Sequence, residues 1–116
     1  MAGKEAPLTF DKYQEGAEET VFYPNKGSNL VLPSLGLIGE AGEVSKIVAE
    51  VIRDKRGKIS KEDRERLEQE LGDVMWYLSS LATELGLSLE DIARRNLEKL
   101  ASRKERGMLR GSGDDR

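Results

Sequence analysis

The string Glu-x-Gly-acid-Val occurs twice in the chain, as Glu40-Ala41-Gly42-Glu43-Val44 and as Glu70-Leu71-Gly72-Asp73-Val74. Each copy sits in a segment with helical periodicity, where positions three apart point the same way and make the two acids of a copy neighbours. The apolar positions decide where those acids face. On a helical wheel Glu40 falls among Val44, Ile47 and Val51, inside the apolar sector, and Glu70 falls beside Val74, Tyr77 and Leu81 in the same way. Four carboxylates directed at a core need compensation, because burying an isolated charge costs several kcal/mol or more. The chain contains no histidine to assist. A hard divalent cation is the economical resolution, and it points to an enzyme.

At 116 residues the chain has the size of one domain with one core. Charged residues make up 35% against 37% hydrophobic and only 5% aromatic, a balance that suits a helical bundle with solvated outer faces better than a sheet protein. The net charge of -3 argues against a nucleic-acid polymer as partner, since backbone binding shows a basic excess. It leaves room for a small triphosphate held by a few local cations. With no cysteine, disulfides, thiolate metal sites and cysteine nucleophiles are excluded, and with no histidine zinc sites of the usual kind are disfavoured. No segment has the length and apolarity of a signal peptide or a bilayer span, so no membrane association is expected and the expected location is cytoplasmic.

The pattern predicts an all-α fold: a four-helix, bundle-like domain with antiparallel helices and short loops, over residues 9–106. Residues 1–8 are expected to be flexible, and the Gly-rich polar tail, 107–116, disordered. Thr9 caps a first helix to about Phe22. A loop follows from Pro24, closed by Pro33. The second helix is expected from about Ser34 to Asp54. The third runs from about Lys61 to Leu85, opened by a capping-box pair, Ser60 and Asp63, and ended by Gly86. Ser88 with Asp91 repeats the start signal for a fourth helix to about Arg106. Glu43 lies about eleven residues before the end of the second helix and Glu70 about nine after the start of the third, so at ~1.5 Å rise per residue the acids stand at matching heights. The geometry permits a single four-carboxylate cluster. Glycine inside a helix costs ~1 kcal/mol relative to alanine, so Gly42 and Gly72 call for a reason: ligand space beside the acids, or a tight helix crossing.

The string Gly36-Leu37-Ile38-Gly39-Glu40-Ala41-Gly42-Glu43-Val44, followed by Glu70-Leu71-Gly72-Asp73-Val74 and Asn96-Leu97-Glu98-Lys99-Leu100, resembles the MazG-like nucleoside triphosphate pyrophosphohydrolases. Their signature is Glu-x-x-Glu, a spacer, then Glu-x-x-Asp. The resemblance covers about Tyr13 to Arg103. It implies Mg²⁺-dependent hydrolysis (Mn²⁺ being a possible substitute) of a nucleoside triphosphate to its monophosphate and pyrophosphate. By motif position it makes Glu40, Glu43, Glu70 and Asp73 the catalytic metal ligands. That agrees with the preference of Mg²⁺ for hard oxygen ligands and retained waters. The matched Asn96 and Lys99 would reach the substrate phosphates, with Arg103 and the Tyr77 hydroxyl as further contacts. Tyr13 and Gln14 on the first helix are the expected base contacts, whereas Trp76 points away from the acids on the wheel and is assigned to packing or a subunit interface. Gly39 and Ala41 stand where the dimeric all-α dUTPases, a sister group, carry additional acids, so that subgroup fits less well.

Other readings stay open. The acids could pair with Lys46, Arg53, Arg66 or Lys99 and only stabilise the bundle, and a basic face on the fourth helix also suits the helix dipole. Phosphoribosyl-ATP pyrophosphohydrolase is a competitor with the same chemistry, and a non-catalytic helical interaction module one from a different class. A narrow apolar stripe on one helix of so short a chain leaves faces for a partner to cover, and the resemblance adds the expectation of a homodimer or homotetramer.

Overall fold

The computed structural model describes residues 6–116, so the first five residues of the segment expected to be flexible lie outside the described residues. Four helices follow in the expected order: α1 Phe10–Glu19, α2 Val31–Lys55, α3 Lys61–Glu84 and α4 Leu89–Glu105. No strand is present among the described residues. The architecture is all-α, as the periodicity requires.

Three of the four helices start on a side-chain cap. Thr9 Oγ1 accepts from Lys12 N, Ser60 Oγ from Asp63 N and Ser88 Oγ from Asp91 N, each at 3.1 Å. Each bond satisfies an N–H that the first turn leaves without a partner. At α3 the box is complete, with Ser60 N donating back to Asp63 Oδ2 at 3.1 Å. Asp63 also accepts Lys55 Nζ at 3.0 and 2.8 Å, and with 2% exposure it ties the end of α2 to the start of α3. Ser88 makes no such box: its hydroxyl donates to Asp11 Oδ1 at 3.2 Å, drawing α1 onto the start of α4.

Two boundaries differ from the sequence expectation. α1 stops at Glu19, short of Phe22, because the Thr20 hydroxyl turns back to donate to the Ala17 carbonyl at 2.8 Å. α2 begins at Val31, ahead of Ser34. Pro33 is accommodated in the first turn, where its missing N–H has no intrahelical partner to lose. Asn29 Oδ1 meanwhile accepts from Leu32 N at 3.1 Å.

α2 and α3 form the principal packed pair, with Ile47, Val51 and Ala82 in the core. α1 lies against α3 and α4, and among the described residues α4 makes no contact with α2. The α1 position is set by Gln14. Its amide nitrogen donates to Thr83 Oγ1 at 3.0 Å and to the Leu87 carbonyl at 2.9 Å, and its oxygen accepts from Leu89 N at 2.8 Å. α1 is therefore clasped at the α3–α4 elbow, while α4 stays clear of α2. The radius of gyration is 17.4 Å, whereas a compact domain of this length has about 13 Å. The tail beyond Gly107, read as disordered from its composition, runs back along α4 in bends and turns, and the Arg103 guanidinium donates to the Asp114 carbonyl at 2.9 Å.

Candidate active site

The α2–α3 hairpin brings Glu40, Glu70 and Asp73 together: each offers a carboxylate oxygen, and the three oxygens lie within 4.8 Å of one another. Glu40 and Glu70 are half-buried and Asp73 is exposed. The crowding shows in the chemistry of Glu40, whose carboxyl is pushed up to about 7. The first cause is a hydrogen bond with the Glu70 carboxyl, followed by burial and the charges of Glu70, Asp73 and Glu43. Two carboxylates this close retain a proton between them unless a cation replaces it. Glu43 is the exception in the motif. It is exposed and stands outside the trio, yet near enough to add to the repulsion on Glu40.

No ion pair among the described residues involves any of the four acids. Arg53 pairs with its neighbour Asp54 at 2.8 Å and Lys99 with Asp114 at 3.3 Å. The salt-bridge reading of the motif therefore finds no support.

Beside the trio lies an open hollow of about 490 Å³ whose walls include Glu40 and Asp73 together with Phe22, Tyr23, Trp76 and Tyr77. Trp76 is tied to the end of α1. Its indole N–H donates to Thr20 Oγ1 at 2.7 Å. Tyr77 and Tyr23 meet it edge-on, at centroid distances of 5.1 and 6.4 Å and interplanar angles of 90° and 87°. The Thr20 hydroxyl both accepts from Trp76 and donates to Ala17, so it has no free proton for a ligand. Phe22 stands at the rim, 92% exposed.

The α1–α2 loop that carries Phe22 and Tyr23 is anchored by Glu84, whose carboxylate accepts from Gly27 N at 2.9 Å, Asn29 N at 2.8 Å and the Tyr23 hydroxyl at 2.8 Å. The two backbone N–H groups hold the Glu84 carboxyl below its usual range. Burial and the Glu84 carboxylate push the Tyr23 phenol up to about 12.

Of the expected phosphate contacts, only Tyr77 is at this site. Its ring lies on α2 over Gly36, where an added Cβ would overlap the Tyr77 ring carbons. Asn96 and Lys99 are exposed on α4, and Arg103, 4% exposed, is engaged with the tail. No lysine or arginine lines the hollow.

Of the two residues expected to contact the base, Gln14 has its amide engaged at the elbow. Tyr13 borders a different, smaller hollow with Phe10, Met75 and Glu90. It lies close enough to Asp73 for that charge, after burial, to raise its phenol. Trp76, which the wheel turned away from the acids, is a wall of the acidic hollow. The wheel misplaces it because the site is closed by the α1–α2 loop, which lies over the flank of α3 rather than over its core face. The reading of Gly42 and Gly72 as a tight crossing also fails, since a Cβ at either position meets nothing within 4 Å.

Comparison with known proteins agrees with the geometry. The chain is 47% identical over 111 residues, 91% of its own length and 97% of the relative's, to "Gene 37 protein" of Mycobacterium phage L5. It is 36% identical over 74 residues, 60% of its own length and 70% of the relative's, to "Uncharacterized protein YvdC" of Bacillus subtilis (strain 168). No solved structure matches significantly. The family model described as MazG nucleotide pyrophosphohydrolase domain matches residues 32–108, which hold both acidic motifs and all of α4. The chain therefore belongs to the MazG nucleotide pyrophosphohydrolase family.

Proposed function

We propose that the protein is a divalent-cation-dependent pyrophosphohydrolase that cleaves nucleoside or deoxynucleoside triphosphates between the α and β phosphates. One observation carries this reading: the convergence of Glu40, Glu70 and Asp73 at the mouth of an aromatic hollow. The donor set suits Mg²⁺, with Mn²⁺ as substitute, because all donors are hard carboxylate oxygens and the proton crowded onto Glu40 marks a place where positive charge is favoured. When bound, the ion neutralises phosphate charge and acidifies a water.

The protein's own groups do the rest. A nucleobase stacks in the hollow against Trp76, with Phe22 at its open edge, and this places the phosphates over the acids. Glu43, exposed and outside the trio, takes the proton as water attacks the α-phosphorus. The new P–O bond gives the monophosphate, and the α–β anhydride breaks to release pyrophosphate. The Thr20 hydroxyl has no free proton and the Tyr23 hydroxyl donates to Glu84, so few donors in the walls can read the base edge, which favours a role in clearing free nucleotides of several kinds from the cytoplasm. No described helix is long and apolar enough to cross a membrane. The apolar faces left open favour a homo-oligomer.

The test is a pyrophosphate-release screen over canonical and modified triphosphates and phosphoribosyl-ATP, with Mg²⁺ or Mn²⁺. Monophosphate and pyrophosphate are the expected products. Orthophosphate with a diphosphate would assign another phosphohydrolase chemistry, and no turnover with unchanged thermal stability in millimolar Mg²⁺ would favour a non-catalytic module.

A further inference from the structure

Between α1 and α2 the chain runs from Thr20 to Leu30 with Tyr23 as its one buried side chain. Phe22, beside it in the wall of the acidic hollow, is exposed. A separate hollow of about 210 Å³ lies between the loop, at Tyr23, Lys26 and Gly27, and α3, at Ser80, Thr83 and Glu84. The buried Ser80 hydroxyl meets no hydrogen-bond partner there. Close packing therefore does little to fix this segment. Its backbone is also strained for a free chain, since Asn25 and Gly27 stand at positive φ, 59° and 95°, a region that few residues other than glycine enter readily.

Hydrogen bonds supply what packing does not. Past Thr20, every hydrogen bond from the loop to α3 among the described residues ends on one carboxylate. The Tyr23 hydroxyl, Gly27 N and Asn29 N all donate to Glu84, at 2.8, 2.9 and 2.8 Å. Bonds to an ionised acceptor are the strong ones. Within the loop, Asn29 Nδ2 donates to the Pro24 carbonyl at 2.9 Å and Ser28 N to the Asn25 carbonyl at 2.9 Å, so the tether on Glu84 is passed along the whole turn. Tyr23 and Phe22 are walls of the hollow that adjoins Glu40 and Asp73, and Glu84 is not. It lies about 16 Å along α3 from Asp73. Glu84 can reach a ligand in that hollow only through the loop.

We propose that Glu84 is a positioning residue for the nucleotide: its carboxylate fixes the α1–α2 loop so that Phe22 and Tyr23 wall the hollow in which the base stacks. This rests on the hydrolytic reading proposed above.

Steady-state kinetics on one good triphosphate, at saturating Mg²⁺, tests it. Glu84→Ala should raise KM about tenfold while kcat stays within about twofold of wild type, the split expected when binding is lost equally from ground and transition states. Glu84→Gln, whose amide oxygen still accepts from a backbone N–H, should fall between the two. Tyr23→Phe keeps the ring in the wall and removes one tether, and should cost less than Glu84→Ala. The Gly27 and Asn29 amides should exchange faster in Glu84→Ala. Combined with Trp76→Ala, Glu84→Ala should raise KM by less than the product of the separate effects, because both act on one hollow. An unchanged KM in Glu84→Ala, a loss confined to kcat, or effects that multiply in full would each overturn the proposal. Should Glu84→Ala fail to fold, Glu84→Gln and Tyr23→Phe carry the same comparison. A wild type inactive on every triphosphate would remove both the proposal and the reading beneath it, whereas an active wild type with an unshifted KM in the variants removes the proposal alone.

Discussion

The Trp76 indole N–H donates to the Thr20 hydroxyl at 2.7 Å, and this one bond joins the end of α1 to the helix that carries Glu70 and Asp73. Tyr23 and Tyr77 stand nearly perpendicular to the same ring. A flat aromatic wall next to a carboxylate cluster suits a ligand with an aromatic end and an anionic end.

Trp76 is the only tryptophan in the chain, so nucleotide binding should quench the intrinsic fluorescence directly. Trp76→Ala should raise KM about tenfold to a hundredfold with a smaller effect on kcat, given stacking worth ~1–3 kcal/mol per base. Trp76→Phe keeps a ring and loses the bond to Thr20, and should fall between the two. Steady-state kinetics with one good substrate checks the order. An unchanged KM in the alanine variant would take the base out of this hollow.

Gly36 is required by Tyr77. A methyl group there overlaps the tyrosine ring, and overpacking of this kind costs ~1–3 kcal/mol. Gly36→Ala should therefore lower the urea midpoint, while Gly42→Ala, where a Cβ meets nothing within one chain, should leave the stability of a protomer unchanged or slightly raised through helix propensity. Equal effects at the two positions would contradict the packing described.

Asp63 sets an acid limit on stability. Hydrogen bonds from Lys55 and Ser60 hold its carboxyl at about 2, below the ordinary 3.8. A carboxyl lowered in the folded state stabilises fully above its unfolded value, and that contribution is lost as pH falls from there through about 2. The stability gap between wild type and Asp63→Asn in urea should be widest near neutrality and should close below pH 3. Ser60→Ala, which removes the other half of the box, should cost about 1 kcal/mol at neutral pH. A gap that stays constant down to pH 2 would refute the role given to the Asp63 charge.

Glu40 has the opposite sign. Its carboxyl is raised from 4.5 to about 7, so in that interval the folded, metal-free protein binds a proton that the unfolded chain does not. Metal-free stability should fall as pH rises from 4.5 to 7, and Glu40→Gln should flatten the slope. The same proton competes with a cation, so Mg²⁺ affinity measured by calorimetry should rise with pH through 7 and binding should release protons to the buffer. An affinity independent of pH over this range would separate Glu40 from the cation.

Local chemistry in the sequence was sufficient for much of this. Thr9, Ser60 and Ser88 announced three helix starts because a cap is made by residues within one turn of each other. The repeated acidic motif placed Glu40 opposite Glu70 and Asp73 because a short turn between two long helices leaves only one register. The family was legible for the same reason, since its signature is a matter of spacing along helices.

What the tertiary structure decided lies where residues distant in sequence meet. Gln14 could be a base contact or a clasp, and the choice was made by Thr83, Leu87 and Leu89, 69 to 75 residues away. Trp76 changed sides because the wheel records only the direction of a side chain from its own helix axis. Its neighbour, Thr20, is supplied by a loop whose path depends on Glu84. Glu43 shares a motif and a helix face with Glu40 yet is not among the carboxylates that converge, Glu40, Glu70 and Asp73. Sequence determined which chemistry the chain can hold, through contacts within a turn or two. Packing determined which side chains share that chemistry, because the direction of a helix after a loop depends on what it lands on.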